Sequence, residues 1–192
     1  YNPDGQILDE DYVYGSFIQS KMYQNNVACN NCHDVHSLKL KFDGNKLCLQ
    51  CHAPEFDTAS HHFHQGNNEG TQCINCHMPG KFYMGNDYRR DHSFRVPRPD
   101  QSITFNTPNA CTQCHTLKTD QWAWDNFKKN WGTPDHPHFS DKLAPGITGV
   151  EGADIGLMEL ANDQSQPEIA RASAVKAMAN YDIQNNINAY IA

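Results

Sequence analysis

The chain has 192 residues, enough for one domain or one domain with an appendage. Leu, Ile, Val and Phe total 34, about 18% of the residues, and the formal net charge is −7; both lean towards disordered composition and exclude an aliphatic core of ordinary size. The balance of 22 acidic against 15 basic residues argues against a nucleic-acid partner, and no apolar run approaches the roughly 18 to 20 residues of a membrane span.

Eleven His, eight Cys and 20 aromatic residues are nevertheless not what a disordered tail carries. Something other than aliphatic side chains must fill the interior. No charged and apolar leader pattern opens the chain, so Tyr1 reads as a mature or trimmed end. Residues 1–28 hold Tyr12, Tyr14, Phe17 and Tyr23, which read as packing on whatever the next segments bind. Cys29-Asn30-Asn31-Cys32-His33 follows, and after 14 residues Cys48-Leu49-Gln50-Cys51-His52. A further 20 residues lead to Cys73-Ile74-Asn75-Cys76-His77. The next gap, Met78 to Ala110, has 33 residues and contains Pro79, Pro97, Pro99 and Pro108; it reads as an extended loop wrapping a surface. Four arginines fall there, Arg89, Arg90, Arg95 and Arg98, and salt bridges inside the fold account for them better than a phosphate-binding patch. Cys111-Thr112-Gln113-Cys114-His115 completes the series. Beyond it, Trp124, Phe127 and Trp131 share one face of a predicted helix that begins near Trp122.

Composition changes after about Pro145. Ala153 to Ala161 reads as a helix with Ala153, Leu157, Leu160 and Ala161 facing inward. A second opens at Gln166-Pro167-Glu168, where Pro suits the first turn and an acid suits the positive end of the helix dipole, and runs from Ile169 to Tyr181 with Ala170, Ala174, Met178 and Tyr181 on one stripe. The pair is similar to one HEAT-type repeat. A solenoid needs about three repeats to stand alone, so this segment leans on the preceding domain, meets a partner, or belongs to a longer array. The domains expected are thus 1–144 and 145–192.

All eight cysteines lie in four copies of C-x-x-C-H, the attachment signature of c-type haem. Two thiols three positions apart can reach two vinyl groups of one porphyrin, and the following imidazole then meets the iron as proximal ligand. Zinc sites of four thiolates would not require a His after every second Cys. A disulfide framework gives no reason for a strict repeat, and thioredoxin-like chemistry would use one motif on a βαβ unit rather than four. The thioether residues are therefore Cys29, Cys32, Cys48, Cys51, Cys73, Cys76, Cys111 and Cys114, with proximal ligands His33, His52, His77 and His115 and four haem c as cofactors.

Seven histidines remain for distal coordination: His36, His61, His62, His64, His92, His136 and His138. His36 is too close to His33 to reach the far side of the same iron and points to a neighbouring haem. His61 and His64, three apart on a helical turn, project to one side; each serves a different haem, or one serves while the other bonds a propionate. His62 points elsewhere and is the first candidate for a non-ligand. Asp91 beside His92 offers a carboxylate to orient its imidazole. His136 and His138 read as distal ligands, ligands to another subunit's haem, or surface residues. Met22 and Met84 are conceivable axial ligands, but the histidine surplus makes methionine ligation unnecessary.

The strings CNNCHDVHSLKL, HHFH followed by GTQCINCHMPG, RRDHSFRVPRPD and TPNACTQCH resemble the tetrahaem domain of bacterial multihaem cytochromes. That domain is often fused to tetratricopeptide or HEAT-like repeats, and is related to the tetrahaem cytochromes of ammonia oxidisers and to pentahaem nitrite reductases. The resemblance covers roughly residues 5 to 140. It implies a mainly α multihaem cytochrome c fold with extensive loops, wrapped around a stacked four-haem core and followed by a short C-terminal helical appendage. It also implies His36, His61, His64 and His92 as the distal set. No C-x-x-C-K variant is present, which separates this chain from the nitrite reductases at their catalytic haem.

These features point to electron transfer through four covalent, mostly bis-His, low-potential haems, with no catalytic residue assigned. Redox proteins are the expected partners, and copies of the chain could join into an extracellular filament. The alternative is an oxidoreductase reducing a small nitrogen or sulfur oxyanion at one five-coordinate haem. Haem attachment takes place outside the cytoplasm, which implies a periplasmic or extracellular location. Replacing Cys111 and Cys114 together by Ala is expected to lower covalently bound haem from four to three per chain, measured by the pyridine haemochrome assay.

Overall fold

The computed structural model describes residues 1–181. These residues are largely helical with extensive loops and one two-stranded antiparallel sheet. The last eleven residues of the predicted appendage, 182–192, lie outside the described residues.

Up to about residue 115 regular structure comes in helical segments of three to seven residues and one hairpin, joined by loops. The apolar inventory is too small to bury long helices, so polar links hold this part together. Asp4 is only 1% exposed and forms a salt bridge with Arg95 at 2.9 Å, and the Arg95 guanidinium also donates to the Asp4 carbonyl. Gln6 donates to the Pro108 carbonyl at 2.6 Å, and the Ile7 amide donates to Asp91 at 3.2 Å. The His92 amide donates to the Ser16 hydroxyl, which is fully buried. The N-terminal segment thus straps down the stretch between the third and fourth cysteine pairs. Phe17, also buried, packs edge-on against Tyr23 and Phe94.

The third gap is more structured than its prolines suggest. Strands β1 (Gly80–Tyr83) and β2 (Asp87–Arg90) form a hairpin with Gly80 opposite Arg90 and Tyr83 opposite Asp87. Its three-residue loop has Met84 and Gly85 at positive φ, the backbone that such loops demand and that glycine adopts without strain. Helix α1 (Pro99–Phe105) then starts on Pro99, whose missing amide costs nothing in the first turn, and stops at Asn106 in the left-handed region. The prolines thus mark ends of elements in this gap rather than one extended path.

Helix α2 (Asp120–Trp131) is the longest. Thr119 accepts from the Trp122 amide, Asp120 sits in the first turn, Lys128 and Lys129 in the last, and Gly132 with φ 82° ends it. Ala123 and Phe127 are its buried residues, and α2 packs on α1.

Three helices close the described chain: α3 (Ser140–Ile147), α4 (Ala153–Asn162) and α5 (Glu168–Ala177). They share an apolar cluster, Leu143, Leu157, Leu160, Ala174 and Ala177, flanked by Phe139, Ala161, Met178 and Tyr181. The two predicted helices are present with Leu157, Leu160, Ala170 and Ala174 buried, but the second ends at Ala177 and passes into a 3-10 turn rather than running to Tyr181, and α3 joins them as a third. The expected junction between residues 144 and 145 falls inside α3, which continues through Pro145. Gly146 permits close contact there, since a β-carbon at that position would lie 2.3 Å from Leu157.

A buried polar relay connects these helices to the haem-motif part. Gln101 on α1 donates to the Ser140 hydroxyl at 2.9 Å, and the hydroxyl and amide of Ser140 both point at His138 Nδ1, at 2.9 and 3.2 Å. Nδ1 must therefore be an acceptor and the ring neutral. Burial first, and then the nearby Arg95 and Arg98 charges, push the His138 pKa down to about 3. The unfolded chain takes up this proton near pH 6.5 and the folded chain does not, so the contribution is complete above 6.5 and is lost progressively as pH falls towards 3. Wild type is expected to lose roughly 1 kcal/mol per pH unit below 6.5 from this residue. His138→Gln, which keeps an acceptor but cannot be protonated, is expected to remove that part of the slope, measured by thermal unfolding at pH 7 and pH 5.

Candidate functional site

Every C-x-x-C-H segment lies on a single turn of helix. The first covers Cys29–Cys32, the second begins at Cys48 inside Lys46–Leu49 and continues as a turn to His52, and the third and fourth occupy Cys73–His77 and Ala110–Cys114. The amides of His33, His52 and His115 donate to the carbonyls of Cys29, Cys48 and Cys111 at 2.8, 3.0 and 2.8 Å. Such a turn brings both thiols to one side with the imidazole next to them, because positions three and four apart share a helix face. Isolated turns of this length are not stable in water, and polar caps hold them. Asn109 accepts from the Thr112 amide, and Asn31 from the Ala28 amide. Asn45 accepts from the Cys73 amide at 3.0 Å while donating to Asp57 and to the Thr71 carbonyl, so one residue of the first gap fixes the third motif. Nothing in the sequence pattern singled out Asn45, since its partners lie 12 to 28 positions away.

All eight thiols are free of disulfides. Burial raises the pKa of Cys48 to about 12, with Cys73 adding to it, and burial raises that of Cys76 to about 11. The neighbours involved show how the motifs sit. Cys32 lies beside Cys51, Cys48 beside Cys73, and Cys76 near Cys111 and Cys114. The four motifs thus form a contiguous series in chain order.

Three of the four motif histidines each face a histidine from outside the motifs. His33 and His92 have ring centroids 6.5 Å apart and planes inclined by 25°. His77 and His61 are at 6.2 Å and 11°, and His115 and His64 at 6.1 Å and 24°. Two metal–imidazole bonds of about 2.0–2.1 Å in line, with half a ring on each side, place centroids about 6.3 Å apart. Offset ring packing covers the same range. What favours the metal reading is the recurrence of one near-parallel spacing together with the anchoring of the rings. His33, His77, His92 and His64 point Nδ1 at the carbonyls of Leu38, Arg95, Arg90 and His62, at 2.8, 2.7, 2.9 and 2.5 Å. A carbonyl only accepts, so Nδ1 carries the proton and Nε2 keeps its lone pair for a metal.

His61 and His64 do not project to one side. The turn Ala59–His62 ends at Phe63, which has φ 56° in the left-handed region, and the reversal sends the two imidazoles to different motifs. His62 bonds locally, its Nδ1 accepting from the His64 amide. Asp91 does not orient His92; it accepts from the Ile7 and Ser93 amides, and the Arg90 carbonyl takes the His92 ring proton. His36 is exposed on the loop after the first motif, with its amide on Asp34. Among the described residues neither His36 nor His52 faces another imidazole; the His52 ring meets the edge of Phe56. His136 is 86% exposed beside Asp135, and His138 is committed to the relay with Ser140.

The donor set fits haem c. Among the described residues no three or more His, Cys, Asp or Glu converge on a point where a bare metal ion could be held, so the cysteines do not assemble a four-thiolate zinc site. Two opposed imidazoles suit a metal whose four in-plane positions are filled by a macrocycle. Leu38, Leu40, Phe42, Phe56, Phe63 and Leu117 present exposed apolar surface beside the motifs, as contact with a flat apolar group requires. The four arginines are engaged within the fold: Arg89, Arg95 and Arg98 with Asp87, Asp4 and Asp100, and Arg90 with the Ile74 and Met78 carbonyls and Asn75.

Residues 23–56 match the family model described as a doubled CXXCH motif. The match makes this segment a c-type haem-binding unit of the kind found in multihaem cytochromes. No curated protein and no solved structure matches the chain. Covalent haem c is thus the cofactor of the paired motif, and c-type cytochromes with this motif are typically extracytoplasmic. No helix among the described residues is long and apolar enough to cross a membrane. His92→Ala is expected to turn one iron of the holoprotein from low to high spin, seen by electron paramagnetic resonance; a wholly low-spin spectrum would remove His92 from the ligand set.

Proposed function

We propose that the protein is an electron carrier holding four haem c, and that the three opposed imidazole pairs identify most of its axial ligands. His92 serves the iron of His33, His61 that of His77, and His64 that of His115. The observation that carries this reading is the repeated ring spacing of 6.1 to 6.5 Å between a motif histidine and a partner. Haem supplies a one-electron iron couple when bound. The protein residues saturate the iron on both sides, fix the imidazole protons on backbone carbonyls, and set the motifs in an unbroken series. Iron with two imidazoles has no open position for substrate, so exchange of electrons with redox proteins is the activity favoured.

His36 and His52 support an extension of this reading. Both are exposed and neither is opposed within its own chain. A His36 from one copy, placed opposite His52 of the next, would complete both sites and continue the haem series across the contact, as in an extracellular filament. The helices after residue 145 act as a structural or associative appendage in this arrangement. A periplasmic or extracellular location follows from haem attachment.

The same unopposed His52 favours a second reading, reduction of a small nitrogen or sulfur oxyanion at one five-coordinate iron. Two measurements on the native holoprotein separate the readings. Negative-stain imaging is expected to show filaments, lost in His36→Ala, and cyanide or nitrite is expected to leave the assembled protein's spectrum unchanged. Monodisperse globules would sink the filament, and a nitrite-dependent spectral shift in the assembled native protein would favour the enzyme.

A further inference from the structure

We propose that Trp131 is a positioning residue that clamps the His61–His64 segment so that its two imidazoles diverge to two different irons. The inference rests on the reading of His61 and His64 as iron ligands. The segment is short and its geometry is demanding. A non-glycine residue in the left-handed region crowds its β-carbon against the backbone, and Phe63 occupies that region with φ 56° and ψ 23°. Such a backbone persists only where its surroundings over-determine it. The internal bonds between His62 and His64 close the reversal from one side.

Trp131 closes it from the other. Its indole Nε1 donates to the His61 carbonyl at 2.8 Å, across 70 positions of sequence. Its ring meets the Phe63 ring edge-on, with centroids 5.0 Å apart and planes at 84°. One side chain therefore holds the residues on both sides of His62 by two unlike contacts. The clamp has a firm base. Trp131 is the last residue of α2, its ring lies 5.2 Å from that of buried Phe127, and Phe127 lies 6.0 Å from Trp124. Trp131 acts through the His61 carbonyl and the Phe63 ring. A terminal aromatic serving only to cover the helix end would need no donor aimed at a carbonyl of a ligand residue. At 44% exposed, Trp131 also contributes less to packing than Phe127 does.

The test uses the full holoprotein with Trp131→Phe, which keeps the ring and loses the donor, and Trp131→Ala, which loses both. Trp131→Ala is expected to weaken low-spin signal at two irons, those of His77 and His115, while leaving the His33 iron unchanged. Trp131→Phe is expected to keep all irons low-spin but shift the g values and midpoint potential of those same two. His61→Ala and His64→Ala are controls, each expected to give one high-spin iron at a different haem. If the controls behave so and Trp131→Ala leaves every signal and potential unchanged, the clamp is wrong and the ligand assignment stands. If the controls leave all irons low-spin, the ligand assignment fails and the clamp falls with it. An equal disturbance of all irons by Trp131→Ala would also overturn the clamp, because it would mark a general structural role.

Discussion

The opposition of paired imidazoles is the constraint around which the rest of this molecule is arranged. Each pair joins a residue inside a C-x-x-C-H turn to one far away in sequence: His33 with His92, His77 with His61, His115 with His64. For four of the six rings the backbone presents a carbonyl to Nδ1, which leaves Nε2 free. The carbonyls are those of Leu38, Arg90, Arg95 and His62. Those of Leu38 and Arg95 lie in loops, whereas Arg90 and His62 are the last residues of β2 and of the turn Ala59–His62, so there the carbonyl sits at the end of an element.

Such a framework needs another source of rigidity, and polar groups provide it. Asp4, Ser16, Asp91, Gln101, Asn109 and Ser140 are buried, and each has hydrogen-bond partners distant in sequence or at a helix cap. In a low-dielectric interior these links are worth more than on the surface, and each is costly to break on one side. Among the described residues, the helices α3, α4 and α5 gather an ordinary apolar core on Leu143, Leu157 and Leu160. The shortage of aliphatic residues is thus distributed unevenly. It falls on the part that carries the cysteine motifs, where exposed Leu38, Phe42, Phe56, Phe63 and Leu117 offer apolar surface to a cofactor.

The local chemistry was legible in the residues. The C-x-x-C-H spacing depends on one helical turn, and a turn is encoded by neighbours. Helices α2, α4 and α5 were readable because face periodicity is also local: Trp124, Phe127 and Trp131 fall at helical spacing on α2, and Ala170 and Ala174 mark the buried stripe of α5. The hairpin β1–β2 and helix α1 were not, because four-residue strands carry little alternation and the prolines that begin or border elements look the same in sequence as those that extend a loop. Helix α3 was obscured by Pro145 in its interior.

The sequence by itself determined which atoms are available: eight thiols in paired spacing, a following imidazole for each pair, and a surplus of histidines to oppose them. Only the tertiary structure decided which histidine meets which. The divergence of His61 and His64 depends on the left-handed Phe63 and on Trp131, 70 residues beyond His61. The freedom of His92 from Asp91 depends on Ile7 claiming that carboxylate from the far end of the chain. The removal of His138 from the ligand pool depends on Ser140 and buried Gln101. In each case a hydrogen bond over a long sequence distance outweighed a neighbour's local claim, and no spacing rule along the chain encodes such a bond.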